Sequence, residues 1–95
     1  MIEVKDAAKR AFQSLEYLFA EESISDPTLE EVELSKDETQ WFITLGFNVK
    51  KETPKNFLEA LDTSARNLRK YKLFKIDAET GKFISMQIRE IGAIY

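Results

Sequence analysis

The chain has 95 residues and contains neither cysteine nor histidine, which excludes disulfides, zinc–thiolate sites, thiol nucleophiles and histidine-based catalytic triads. Its length predicts a single domain, because two separate cores would each be too small to fold alone. A hydrophobic content of 43% predicts a globular chain rather than a disordered one.

The net charge of −3 is unevenly distributed along the chain. Residues 1–49 carry four Lys or Arg against eleven Asp or Glu, giving −7, whereas residues 50–95 carry ten against six, giving +4. Two interpretations stay open. The halves neutralise each other in the folded protein, or the chain docks head to tail or presents a basic patch.

The N-terminal segment has apolar residues at helical spacing, with charged residues between them. The pattern predicts a helix over residues 4–21, and the three alanines of its apolar stripe would let it lie close to whatever it covers. The residues that follow, Ser25 to Thr28, include Asp26 and Pro27 and predict a turn. The apolar stripe consists of Val4, Ala7, Ala8, Ala11, Phe12, Leu15, Leu18 and Phe19.

Two strands are predicted next, over residues 29–36 and 39–49. The first is rich in glutamate, which suits the edge of a sheet because charge discourages pairing with other chains. The second alternates strictly, so it is predicted to be a central strand packed on the helix. Gly46 within it predicts a bulge or a bend. The large residues on its inner face are Trp41, Ile43, Leu45, Phe47 and Val49.

Residues 50–68 are predicted to form a polar loop or a short helix near 57–66. The strands over residues 70–77 and 82–90 then form a hairpin, with Asp77 and Gly81 shaping its loop. The whole chain is therefore predicted to be α+β: an N-terminal helix on a curled four-stranded antiparallel sheet. The element order is helix, strand, strand, optional short helix, strand, strand.

In the closing hairpin, Tyr71, Leu73, Ile76 and Asp77 lead into a loop that ends Thr80-Gly81-Lys82, and this pattern resembles the PepSY-like group of cystatin-type folds. Their pattern is aromatic-x-aliphatic-x-x-aliphatic-Asp, a loop ending Thr-Gly-Lys, and a second apolar strand. The resemblance covers residues 71–91 and implies a small binding or inhibitory module without catalysis of its own. PepSY domains usually belong to secreted peptidase propeptides or envelope proteins. The matching residues are Tyr71, Leu73, Ile76, Asp77, Thr80, Gly81, Lys82, Ile84 and Met86.

The charged start, MIEVKDAAKR, shows no signal peptide, and no apolar run is long enough to span a bilayer. We therefore expect a cytoplasmic protein with no membrane partner.

Three groups of charged residues are candidates for chemistry. Asp77 and Glu79 share the hairpin loop, but the remaining ligands of a calcium loop are missing, so a turn-stabilising role is favoured. The glutamates of the first strand lack an apolar environment that would shift their pKa values, and a charged sheet edge is favoured. We predict no metal, no cofactor and no enzymatic activity. These glutamates are Glu30, Glu31 and Glu33.

The third group is a basic cluster interleaved with aromatic residues, a combination that nucleic-acid binders use. The chain as a whole is acidic, with a pI near 5.0, and this charge opposes phosphate binding. A nucleic-acid partner is therefore not predicted. The cluster consists of Arg66, Arg69, Lys70, Lys72 and Lys75.

A fourth group is apolar: Phe42, Tyr71, Leu73 and Phe83 are predicted to share the sheet face turned away from the helix. One helix covers only one face, so this patch is either exposed, covered by residues 57–66, or buried in a partner. It is the candidate partner surface. The predicted function is a non-catalytic protein-binding or regulatory module that uses this outer face or a sheet edge, with a protein partner or a homodimer. The alternative is a small-ligand-binding protein with a pocket between sheet and helix.

Overall fold

The computed structural model describes residues 1–50 and 67–90. One helix, α1 (Val4–Leu18), lies on a four-stranded sheet whose strands follow in the order β1-β2-β3-β4. All neighbouring strands are antiparallel, so the predicted α+β class and its helix-on-sheet arrangement are confirmed. The strands are β1 (Ile24–Leu34), β2 (Gln40–Lys50), β3 (Asn67–Asp77) and β4 (Phe83–Ile88).

Helix α1 lies close to the sheet because small residues form its contact face. Ala7 and Ala11 are fully buried and Leu15 is nearly so, at the four-residue spacing that keeps side chains on one face. The helix ends at Leu18, three residues before the predicted end. No basic residue lies in its last turn, and the next charged residues are Glu21 and Glu22, which the negative C-terminal dipole disfavours.

Strand β2 is central, as its alternation predicted. Its inner residues Ile43, Leu45 and Phe47 are fully buried beneath the helix, as are Phe74 and Ile76 from β3. The ring of Phe47 also meets Phe19, just beyond the helix, with ring centroids 5.2 Å apart. The core therefore lies between α1 and the β2–β3 pair.

Strand β1 begins at Ile24, five residues before the predicted start, and the predicted turn is wrong. Ser25 to Thr28 lie within the strand as a bulge, where the register with β2 shifts and Asp26 has a φ of 50°. Pro27 is compatible with a strand here because β1 is an edge and needs no outward N–H bond. A second register shift, between Leu29 and Glu31, adds another bulge to this edge.

The β3–β4 hairpin has the predicted loop. The Asp77 carboxylate accepts hydrogen bonds from the N–H groups of Glu79 (2.8 Å) and Thr80 (2.9 Å), and Gly81 has the positive φ of 78° that the loop requires. Strand β3 starts at Asn67, three residues before its predicted start, because its pairing with β2 continues to Lys50. Strand β4 ends at Ile88, two residues before its predicted end. The short helix predicted near 57–66 lies outside the described residues. Within the described residues, no helix is long and apolar enough to cross a membrane.

The hydrogen bonds that Asp77 accepts predict how the stability of the fold depends on pH. They lower the pKa of its carboxyl below the usual 3.8, the N–H of Thr80 having the largest effect. A carboxyl whose pKa is lower in the folded protein stabilises the fold above its unfolded pKa, and this contribution is lost as the pH falls through the folded pKa. We expect the urea midpoint of Asp77→Asn to fall less steeply than that of wild type below about pH 4.

The pKa of Asp37 is lowered in the same direction, first by the hydroxyl of Thr39. Asp37→Asn is therefore the matched variant. Its urea midpoint should also fall less steeply than that of wild type below about pH 4. If the urea midpoints of wild type and Asp77→Asn fell equally steeply at acid pH, the role of the loop carboxylate would be contradicted.

Candidate functional site

Three of the four residues predicted for the outer face do lie there. Register places Leu73 opposite Thr44, and Tyr71 opposite Gly46. Both positions are on the face turned away from α1, with Phe42 two residues from Thr44 on the same side. Phe42, Tyr71 and Leu73 are half-buried.

Phe83 lies on the other face, so its predicted position is wrong. It pairs with the buried Ile76, and its ring meets Phe74 edge-on with ring centroids 6.4 Å apart. A bulge is the reason: Lys75 pairs with Ser85, and Ile76 pairs with Phe83, so two β4 steps correspond to one in β3. Counting back from Ser85 by strict alternation gives the same wrong, outward position for Phe83. Strand β4 contains no glycine or proline that would indicate the bulge.

The outer face is crossed by an ion pair that joins distant parts of the chain. Arg89, which follows β4, donates to the Glu31 carboxylate on β1 at 2.7 Å, and its own N–H donates to the Tyr71 carbonyl on β3. The pair therefore spans β2 and β3. Thr44 lies in the groove beneath it and is only 2% exposed.

A second polar network covers the other end of the outer face. Arg69 on β3 donates to the Asp26 carbonyl (2.8 Å), to Asn48 and to Thr28, and forms an ion pair with Glu30 at 3.4 Å. These contacts join the acidic first half of the chain to its basic second half. They favour the interpretation in which the two halves neutralise each other.

Two cations of β3 lie over the outer aromatic rings. The Arg69 guanidinium is 5.9 Å from the centroid of the Tyr71 ring, and the Lys75 ammonium is 5.4 Å from that of Phe42. The outer face is therefore a polar surface with half-covered rings rather than an open apolar patch.

Gly46 allows this packing. The register between β2 and β3 is unbroken, so β2 does not contain the bulge that Gly46 predicted. The two register shifts lie instead in β1, on the strand that pairs with β2 on its other side. A Cβ atom at Gly46 would lie 2.9 Å from both the Tyr71 ring and the Glu30 carboxylate. The glycine is therefore required for the close approach of these two side chains.

Several large apolar side chains are exposed on the opposite side, around α1 and β4, and two more, Leu29 and Val32, are exposed on β1. Tyr17 is 83% exposed on the helix, and Ile88 is 77% exposed on β4, although it lies on the helix side of the sheet. A helix is about 10 Å wide and strands are about 4.8 Å apart, so one helix covers about two strands of four. Other large apolar side chains exposed on this side are Leu18, Phe83 and Ile84.

A groove of about 480 Å³ runs between α1 and the start of β4. Phe83 and Leu18 contribute apolar walls, and the two cations at its margin are Arg10 and Lys82. We call this groove, together with β4, the α1–β4 surface. The other residues that line the groove are Gln13, Ser14, Tyr17 and Gly81.

The remaining candidates have structural roles. The Asp77 carboxylate is held by two loop N–H groups, and β3 divides the basic cluster between its faces: Arg69 and Lys75 point outward, whereas Lys70 and Lys72 are on the helix side. Arg66 lies outside the described residues. Within 1–50 and 67–90, no group of acidic residues is arranged to hold a metal ion.

Comparison of the chain with protein-family models, with curated proteins and with solved structures finds no match.

The close approach at Gly46 can be tested by adding a single methyl group. We expect Gly46→Ala to lower the free energy of unfolding by about 1–3 kcal/mol, because the Tyr71 ring must move. In a Tyr71→Ser background the same change should cost clearly less, since the crowded ring is gone. Urea denaturation of the four proteins measures both costs, and equal costs in the two backgrounds would contradict the contact.

Proposed function

We propose that this protein is a small, non-catalytic protein-binding module and that it binds through the α1–β4 surface. The observation that carries the proposal is that exposed apolar side chains lie beside a strand with an unpaired edge. Tyr17, Phe83 and Ile88 are all at least 44% exposed there, and β4 is the last strand of the described sheet. Scattered exposed apolar residues are ordinary, whereas a cluster next to a groove and a strand edge is typical of binding surfaces.

The outer face is the weaker candidate for the same role. Its rings lie beneath the side chains of Lys75 and Arg69, and the Glu31–Arg89 pair crosses its centre. A partner would have to displace these groups to reach the covered part of the rings, and the outer face offers it no unpaired backbone. Binding at an edge, the second option that the sequence left open, therefore has more support.

The mode of binding that fits this geometry is addition of a strand. An extended partner segment would pair with the backbone of β4, and alternate side chains would reach the groove between β4 and α1. The backbone bonds supply affinity, and the groove supplies selectivity. Arg10 and Lys82 at the margin favour a partner segment with acidic residues next to its apolar ones.

No catalytic step is part of the proposal. The chain has no histidine or cysteine, and within the described residues Asp37 and Asp77 are the carboxyl groups whose pKa is shifted. Both shifts are downward and come from turn hydrogen bonds, which is the opposite of the raised pKa that a general acid needs. The PepSY-like assignment and a cytoplasmic location stay predictions.

The proposal can be tested by photo-crosslinking from defined positions. A photoreactive residue placed at Tyr17 or Ile88 should give crosslinked products in cells, whereas one placed at Glu33, on the outer side of β1, should not. Adding Phe83→Ser should reduce the Tyr17 product, since the groove loses a wall; circular dichroism checks that this variant folds. Products from Glu33 alone, or a Tyr17 product that Phe83→Ser leaves unchanged, would contradict binding at this surface.

A small-ligand role is the second candidate, and the size of the groove favours it. Its volume of about 480 Å³ is within the range of roughly 300–1,000 Å³ that small-molecule sites occupy. The interior between helix and sheet, where the sequence suggested a pocket, is instead filled by buried side chains. Arg10 and Lys82 would select an anionic compound with an apolar body.

A thermal-shift screen with carboxylate-bearing apolar metabolites tests this second role. A true ligand raises the melting temperature, because it binds the folded state. We expect the shift to disappear in Arg10→Gln and to persist in Lys5→Gln, which removes an exposed cation that does not line the groove. Equal shifts in both variants would rule out the groove as the site.

A further inference from the structure

The two edges of the sheet differ in how they resist pairing with another strand. Edge strands expose unpaired backbone groups, and proteins protect them with charges, prolines and bulges. Strand β1 has all three: Pro27, two register shifts, and the three glutamates Glu30, Glu31 and Glu33. Strand β4, with the sequence FISMQI, contains no charged residue and no proline, and its bulge lies at its first residues.

The free backbone groups of β4 can be identified from its hydrogen bonds. The N–H of Arg89 donates to the Tyr71 carbonyl, so Arg89 and Tyr71 are a bonded pair. Bonded and non-bonded pairs alternate along an antiparallel ladder. Gln87 and Ser85 therefore point their backbone groups toward β3, whereas Met86 and Ile88 point theirs toward the free edge. Within the described part of the chain, no strand pairs with that edge.

We infer that the partner of this edge is a second copy of the chain, paired antiparallel through β4 about a two-fold axis near Met86. This inference rests on the proposed function, because it names the occupant of the same surface. Pairing at that register places Met86 opposite Met86 of the partner copy, and Ile84 opposite Ile88 of the partner copy. The two sheets become one sheet of eight strands in the described parts of the two chains.

Side-chain chemistry favours self-pairing at β4. Opposite residues of an antiparallel pair lie on the same face, so the β4 pair joins apolar Ile84, Met86 and Ile88 on one side. On the other side it places Ser85 opposite Gln87, which are both neutral. Ile84 and Ile88 are 45% and 77% exposed in the monomer, so the pairing covers apolar surface that is otherwise in water.

Two-fold antiparallel pairing of β1 with β1 of a second copy would be repulsive. A two-fold axis at Val32 would place Glu31 directly opposite Glu33 of the partner copy, twice, and like charges directly opposite destabilise a strand pair. Pairing β4 with β1 of another copy would leave a free edge at each end and form an open chain of molecules. A two-fold β4 pair closes with both β4 edges satisfied.

The expected dimer is weak. A contact of one short strand from each copy buries less than the roughly 800 Å² per partner of a standard interface. We therefore expect a monomer–dimer equilibrium that depends on concentration, rather than a permanent dimer.

Sedimentation velocity of the purified full chain, from micromolar to millimolar, tests the inference. Met86→Pro removes the N–H that points to the free edge, without removing a bond to β3, and should weaken dimerisation by at least about tenfold. Ile88→Lys puts a charge into the contact at an exposed position and should have the same effect if Met86→Pro does not fold. Gln87→Lys, on the opposite face of the same strand, is the matched control and should weaken the dimer less.

The outcomes separate this inference from the proposed function. A wild-type chain that stays monomeric throughout, or a dimer that both Met86→Pro and Ile88→Lys leave intact, overturns the β4 dimer. If the chain is monomeric while Ile88 still crosslinks to another protein in cells, the binding surface stands and its partner is not a second copy. If neither dimer nor crosslinked product forms, both proposals fail.

Discussion

The close contact between α1 and the central strands is the constraint on which the rest of the structure depends. Ala7 and Ala11 have no side chain beyond Cβ, so the helix backbone approaches the sheet over Ile43 and Phe74, and all four are fully buried. This contact fixes which face of β2 points inward. Because side chains alternate along a strand, it also fixes the outer positions of Phe42 and Thr44. A helix centred there leaves the inner face of β4 partly uncovered, and the proposed binding surface follows from that geometry.

The two faces of the sheet are completed by different means. The inner face is covered by apolar side chains from one helix. The outer face has no such element among the described residues, and long charged side chains lie over its rings instead: Arg69 over Tyr71, and Lys75 over Phe42. Two ion pairs, Arg69–Glu30 and Arg89–Glu31, cross the same face. The aliphatic stems of arginine and lysine can cover apolar surface while their charged ends stay in water. Such half-exposed ion pairs contribute little free energy each, so here they matter mainly as a cover.

Much of the fold could be predicted from periodicity, and the misses have local causes. The strict alternation from Trp41 to Val49 predicted a central strand correctly, because a period of two has one interpretation when five large residues obey it. The start of β1 was missed because Asp26 and Pro27 indicate a turn in isolation, and only their position on a sheet edge makes them a bulge. Phe83 was misplaced because one extra residue reverses every side chain beyond it.

The candidate site could be predicted only in part. Alternation predicted the sheet face on which Tyr71 and Leu73 lie, and both lie where expected. The Glu31–Arg89 pair joins residues 58 apart in sequence, and no local pattern indicates a contact of that kind. The exposure of Ile88 depends on how far the helix extends across the sheet, which is a property of tertiary packing. Sequence therefore indicated an edge or a face as the binding surface, and packing was needed to choose between them.

The Glu31–Arg89 pair also bears on how the molecule opens. β1 is an edge strand, two bulges weaken its ladder with β2, and such elements usually separate first in local unfolding. Glu30 and Glu31 tie β1 to Arg69 and Arg89, so β1 cannot separate without breaking both ion pairs. One of these cations, Arg69, also lies over the Tyr71 ring. Protection of the β1–β2 amides against hydrogen exchange is thereby linked to side chains on β3 and beyond β4, and it becomes sensitive to salt. The first and last strands of the described sheet are therefore weakly coupled in local opening, through side chains rather than through backbone pairing.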